Sequence, residues 1–110
     1  MATTYKVLGQ SAPGATTATT LYTVPSATSA VISTLVVANR AATAATYRIS
    51  IRPGGASQAN QHYLAYDVSV NGADSTTLTL GITLAATDVV TVYGSTANLS
   101  FNLFGSEITA

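Results

Sequence analysis

Ser75–Leu84 reads STTLTLGITL, and this stretch decides the fold. Thr76, Leu78, Leu80, Ile82 and Leu84 fall on one side of an extended chain, with Thr77, Thr79 and Thr83 on the other. Successive side chains of a strand alternate between faces, so this is a β-strand with one buried side. Gly81 breaks the alternation and predicts a bulge. Upstream, Asn71-Gly72 predicts a turn, because both residues tolerate positive φ. Before that turn, His62–Val70 places Leu64, Tyr66, Val68 and Val70 in phase, and Tyr47 and Tyr66 read as core residues.

The same period of two extends outward in both directions. Thr46–Arg52 alternates Tyr47, Ile49 and Ile51 with Arg48, Ser50 and Arg52, and Pro53-Gly54-Gly55 ends it. Ser29–Ala38 (SAVISTLVVA) is apolar on both faces and belongs in the interior of a sheet. Thr20–Val24 is stopped by Pro25, which cannot continue a ladder. Tyr5–Leu8 is a short first strand after a weakly patterned arm of about four residues, 1–4. Asp88–Tyr93 and Leu99–Phe104, with a turn at Gly94–Asn98, read as a closing hairpin. Ala41–Ala45 is too short for a helix. About eight strands at roughly even spacing predict an all-β, single-domain antiparallel β-sandwich, jelly-roll-like. Pattern alone leaves the strand order open between jelly roll and immunoglobulin-like.

Composition bounds the function. Only 7% of the 110 residues are charged, against roughly a quarter in an ordinary soluble domain. Four Lys+Arg balance four Asp+Glu, so the formal net charge is zero. No cluster of cations is available to bind a phosphate backbone, which argues against nucleic acid. No apolar run approaches the roughly 18 residues of a membrane-spanning helix. The first residues do not read as a secretory leader, so synthesis in a cytoplasm is expected. Chains near neutrality repel one another weakly, so the expected partners are other protein subunits.

Little in the chain resembles a reaction centre. His62, the one histidine, could act as a base or ligand, but the weight falls on a strand-end histidine bonded to backbone. Asp67, Asp74, Asp88 and Glu107 are scattered, and the Asp74 and Asp88 positions are those that turns favour. Asn98-Leu99-Ser100 matches a glycosylation acceptor by chance, and Gly54-Gly55 lacks the lysine of a phosphate loop. No catalytic residue, cofactor, metal or small-molecule substrate is therefore expected, and the chain reads as a non-enzyme. Arg40, Arg48 and Arg52 are contact candidates; the alternative is that Arg48 and Arg52 stand on a solvated outer face with cross-strand pairing to Asp67. Tyr63, out of phase with its strand, is either an interface anchor or a harmless surface ring. Ala2, Thr3, Thr4 and Tyr5, in the arm and the first strand, complete the interface candidates.

Four segments resemble small, strand-rich virion proteins of tailed bacteriophages, of the cyanophage kind. They are ATTLYTVPSATSAVISTLVVANR, ATYRISIRPGG, HYLAYDVSVNGADSTTLTLGITL and AATDVVTVYGSTANLSFNLFGSEI. The most specific part is Leu84–Ile108. The resemblance implies a structural role, foremost a capsid decoration (cement) protein that sits between capsid subunits in the phage particle. Its implied partners are further copies of itself, a homotrimer being favoured, and the major capsid protein. A tail, neck or fibre-attachment subunit is the alternative, and a carbohydrate-binding surface module a more distant one.

Overall fold

A computed structural model describes residues 2–109. Met1, the start of the expected arm, and Ala110 lie outside the described residues. Eight strands run in order: β1 (Ala2–Ser11), β2 (Thr19–Thr23), β3 (Thr28–Asn39), β4 (Ala45–Arg52), β5 (Tyr63–Val70), β6 (Ser75–Leu84), β7 (Val89–Gly94) and β8 (Leu99–Thr109). Two short 3₁₀ turns, Pro53–Gly55 and Asn60–His62, separate β4 from β5. Residues 2–4 of the expected arm are not loose: Ala2, Thr3 and Thr4 pair with Thr109, Ile108 and Glu107. His62 belongs to the second 3₁₀ turn, and β5 starts one residue later.

The strands form two four-stranded sheets, ordered β1-β8-β3-β6 (sheet A) and β2-β7-β4-β5 (sheet B), with every pairing antiparallel. Of consecutive strands, only β4 and β5 pair with each other. Every other connection crosses from one sheet to the other, as though a long hairpin had been rolled up. This order is that of a jelly roll rather than an immunoglobulin-like sandwich. It also corrects the expected closing hairpin, because β7 lies in sheet B and β8 in sheet A. Gly94–Asn98 carries the chain between the layers.

The inner faces of the sheets meet in one apolar core. Sheet A contributes Ile32, Leu35, Val37, Leu99, Phe101 and Leu103, all fully buried, and sheet B contributes Tyr47, Ile49, Val90 and Val92. β3, paired on both sides, is interior as its sequence predicts. Burying a large aliphatic or aromatic side chain is worth about 1.5–3 kcal/mol, so these two inner rows outweigh the polar contacts at the rim.

Bulges decide which side chains reach the core. Gly81 lies at φ +60°, and near it β6 holds one residue more than β3 between matched pairs: Ile32↔Ile82 but Thr34↔Thr79. The expected bulge is present. A second one, at the centre of β5, sets Asp67 at φ +54°. Tyr47↔Val68 and Ile49↔Ala65 bracket it. The phase therefore changes between Val68 and Ala65, and Tyr66 comes out 55% exposed instead of joining the core.

The Asn71-Gly72 corner is also where it was expected, for a different reason. Positive φ falls on Ala73 rather than on Gly72. Gly72 is needed because a Cβ there would lie 2.2 Å from the Ala42 carbonyl oxygen. Buried Asn39 locks the same corner: its amide donates to the Thr43 carbonyl at 2.8 Å and to those of Val70 and Asn71 at 3.3 Å, and its Oδ1 accepts from Ala41 N at 3.0 Å. Gly81→Ala meets open space and should cost only the left-handed backbone, about 1–2 kcal/mol. Gly72→Ala must displace backbone and should lower the urea midpoint further. Equal midpoints for the two variants would contradict this account.

Candidate interaction surfaces

The outer face of sheet B carries a raised cluster around Arg48. Its neighbours Tyr47 and Ile49 point into the core, so Arg48 must point out. Asp67, turned outward by its bulge, accepts from Arg48 Nε at 2.7 Å and from Nη2 at 3.3 Å. The Arg48 guanidinium carbon lies 4.1 Å from the Tyr66 ring centre and 4.3 Å from that of Tyr93. Tyr63 meets Tyr66 edge-on, with ring centres 4.8 Å apart at 86°. The bond from Asp67 holds the guanidinium above its ordinary pKa, so this cation keeps its charge throughout the accessible range. Leu64, 50% exposed, stands on the same strand.

Of the two outward arginines, Arg48 is the one that pairs with Asp67, and Tyr63 belongs to an aromatic group rather than standing alone. Tyr93 was not singled out from the sequence. It enters the cluster because β7 pairs with β4, opposing Arg48 and Tyr93.

Arg52 shares this face but is engaged within the chain. Its Nε donates to Thr91 Oγ1 at 3.1 Å and its Nη1 to the Ala56 carbonyl at 3.0 Å. It thereby straps the 53–62 loop over sheet B. Ser50, beneath the same loop, is 1% exposed and donates to Gln58 Oε1 at 2.8 Å. His62 belongs to that loop too: its Nδ1 accepts from Ala59 N at 3.1 Å, the backbone-bonded role the sequence favoured. Arg40 lies apart at the end of β3, donating to the Ala97 carbonyl at 2.9 Å.

Ala2, Thr3, Thr4 and Tyr5 are far from Arg48 in the fold: they occupy the β1 edge of sheet A and are all exposed. The interface candidates therefore fall on two surfaces, the β1 edge with sheet A's outer side and the Arg48 cluster on sheet B. Arg40 and Arg52 brace loops.

The carboxylates are dispersed. Asp88 accepts from Gly54 N at 2.8 Å and Ala85 N at 2.9 Å, tying two loops together. Asp74 accepts from Ser75 N at 2.8 Å. Among the described residues no three of His, Cys, Asp and Glu come close enough to hold a metal ion. No helix among them is long and apolar enough to cross a membrane. Glu107 is the most constrained acid. It faces the inner side of sheet A, where Tyr22 of sheet B donates to Oε2 at 2.5 Å and Lys6 to Oε1 at 3.0 Å. These two bonds, Tyr22 first, lower the Glu107 pKa, while burial and the carboxylate raise that of the Tyr22 phenol.

Compared with known protein families and with curated proteins, the chain matches none.

The Tyr22–Glu107–Lys6 bridge joins the two sheets and sets a pH dependence. Glu107 is depressed in the fold, so its contribution is present above the ordinary carboxylate range. It fades as pH falls through the folded value. Glu107→Gln should lower the melting temperature by a few degrees at pH 7, and the gap to the natural chain should narrow progressively as pH falls below the ordinary carboxylate range. Melting curves across that range check it, and a gap that persists in acid would contradict the bridge.

Proposed function

We propose that this chain is a non-enzymatic structural subunit of a tailed-phage particle, most specifically a head decoration (cement) protein. It would bind across neighbouring shell subunits so that parting them also breaks its own contacts. The observation that carries this reading is the Arg48 cluster. Tyrosine and arginine dominate the energetics of protein interfaces. Here Arg48 and its flanking rings are held in place by Asp67 and by one another, so docking costs little side-chain entropy.

Three other features support the reading. The sequence resembles phage virion proteins over most of its length. The jelly roll is an architecture shared by viral capsid proteins, although a fold alone does not assign a function. The low charge suits a subunit fixed among neighbours, where many modest contacts act together.

A tail or neck subunit would use the same surface, and particle imaging separates the two locations. The exposed tyrosines also favour a second reading, a glycan-binding module, which predicts hits on a glycan array that disappear with Tyr66→Ala.

Particles stripped of the protein can be incubated with recombinant chain and sedimented. The natural chain should rebind to heads and raise the temperature at which they release DNA. Tyr66→Ala and Arg48→Ala should weaken rebinding about tenfold or more without lowering the melting temperature of the free protein appreciably. Label confined to tails, or the absence of this chain from purified particles, would overturn the decoration reading.

A further inference from the structure

The outward side of sheet A differs from the rest of the surface. Register and burial place Tyr5, Val7, Phe104, Val31 and Val36 across it, flanked on β6 by Thr77, Thr79 and Thr83. None of the eight charged side chains projects outward from it, although Lys6 contributes to the lining of its groove. Lys6 and Glu107 point to the inner side and meet Tyr22. Arg48, Arg52 and Asp67 belong to sheet B, and Arg40, Asp74 and Asp88 sit in connections. An ion-free face of this extent cannot recruit a charged partner by complementarity, but it meets no repulsion from an identical face. The net charge of zero removes the remaining long-range opposition to self-association.

Area and shape point the same way. At about 3.3 Å per residue and about 4.8 Å between strands, four strands of 10 to 12 residues present on the order of 600–750 Å². A stable interface takes roughly 800 Å² from each partner. Tyr5 is 84% exposed, the most of any large apolar residue described. Beside it runs an open groove of about 460 Å³, whose lining includes Tyr5, Val31, Ser33, Phe104 and Ser106, and also Lys6, whose amine is engaged by Glu107. A projecting ring and an open groove adjacent on one patch are what a two-fold contact requires, since each copy must offer both knob and hole.

We infer that the outer face of sheet A is a self-association surface. Two copies of this chain pack there face to face about a two-fold axis, each Tyr5 ring seated in the other's groove against Phe104. Aromatic pairs of this kind favour offset or edge-on contact at about 4.5–7 Å. The Ser33 and Ser106 hydroxyls in the groove offer partners for the phenol. The contact is independent of the virion reading, because it forms in solution with no shell present. It yields a pair, whereas the resemblance implies a trimer.

Sedimentation equilibrium on the full chain between about 1 and 200 µM, a range set to bracket micromolar association, tests the inference. The natural chain should pass from 11.1 kDa to twice that mass. Tyr5→Ala should raise the dimer dissociation constant at least about tenfold, and Thr34→Glu, at the centre of the face, should leave monomer throughout. Arg48→Ala should dimerise as the natural chain does. Tyr5 is too exposed for its loss to unfold the domain, so that variant remains decisive if Thr34→Glu fails to fold. A monomer at every concentration, a trimer, or a dimer indifferent to Tyr5→Ala would each overturn the inference.

Discussion

Every strand of this domain gives one row of side chains to a single apolar layer between two sheets. That requirement governs the rest. It uses the larger aliphatic and aromatic residues of β3, β4, β7 and β8 inside, and it leaves two outer faces whose composition is free to differ. The low charge does not weaken the core, because the core takes apolar residues and among the described residues no buried side-chain polar atom lacks a partner. What low charge changes is the surface, and the two outer faces have diverged accordingly.

Sheet B's outer face holds the concentrated features: a cation stacked against two tyrosines, an acid in a bulge, and a loop strapped down by Arg52. Sheet A's outer face is a broad field of threonine, serine and valine with one projecting tyrosine. The two faces suit different neighbours. A fixed Arg–Tyr group offers directional contacts to a distinct protein surface, whereas a flat uncharged sheet tolerates its own copy. A subunit that touches a shell on one side and a twin on the other could spread load across more than one junction, and this links the proposed decoration role to the self-association face.

Polar side chains do much of the positional work where the layers join. Asn39 binds three carbonyls at the corner where β3 leaves and β5 ends. Asp88 ties the β6–β7 turn to the β4–β5 loop. Glu107 reaches across the sandwich to Tyr22. Each links more than one segment of the chain, and for the buried Asn39 the stabilisation comes mainly from sparing its amide and the carbonyls it meets the cost of burial unpaired. A chain with few ions thus uses the ones it has chiefly as internal ties.

Alternation in Ser75–Leu84 and Thr46–Arg52, with proline and glycine at the breaks, was enough to locate the strands and their buried sides, because a residue's face follows from its immediate neighbours. The turn positions of Asp74 and Asp88, the backbone-bonded His62 and the Gly81 bulge were legible for the same local reason. Which strands pair was not legible. Period two says nothing about what lies across the ladder, so β7 and β8 looked like a hairpin until they fell in separate sheets. The Arg48 cluster was hidden likewise. Tyr93 reaches it only through the β4–β7 pairing, and Tyr66 only because one left-handed residue, Asp67, moves the strand out of phase. Faces are a property of the chain; neighbours, and the bulges that re-aim side chains toward them, are settled when distant segments compete to fill one core.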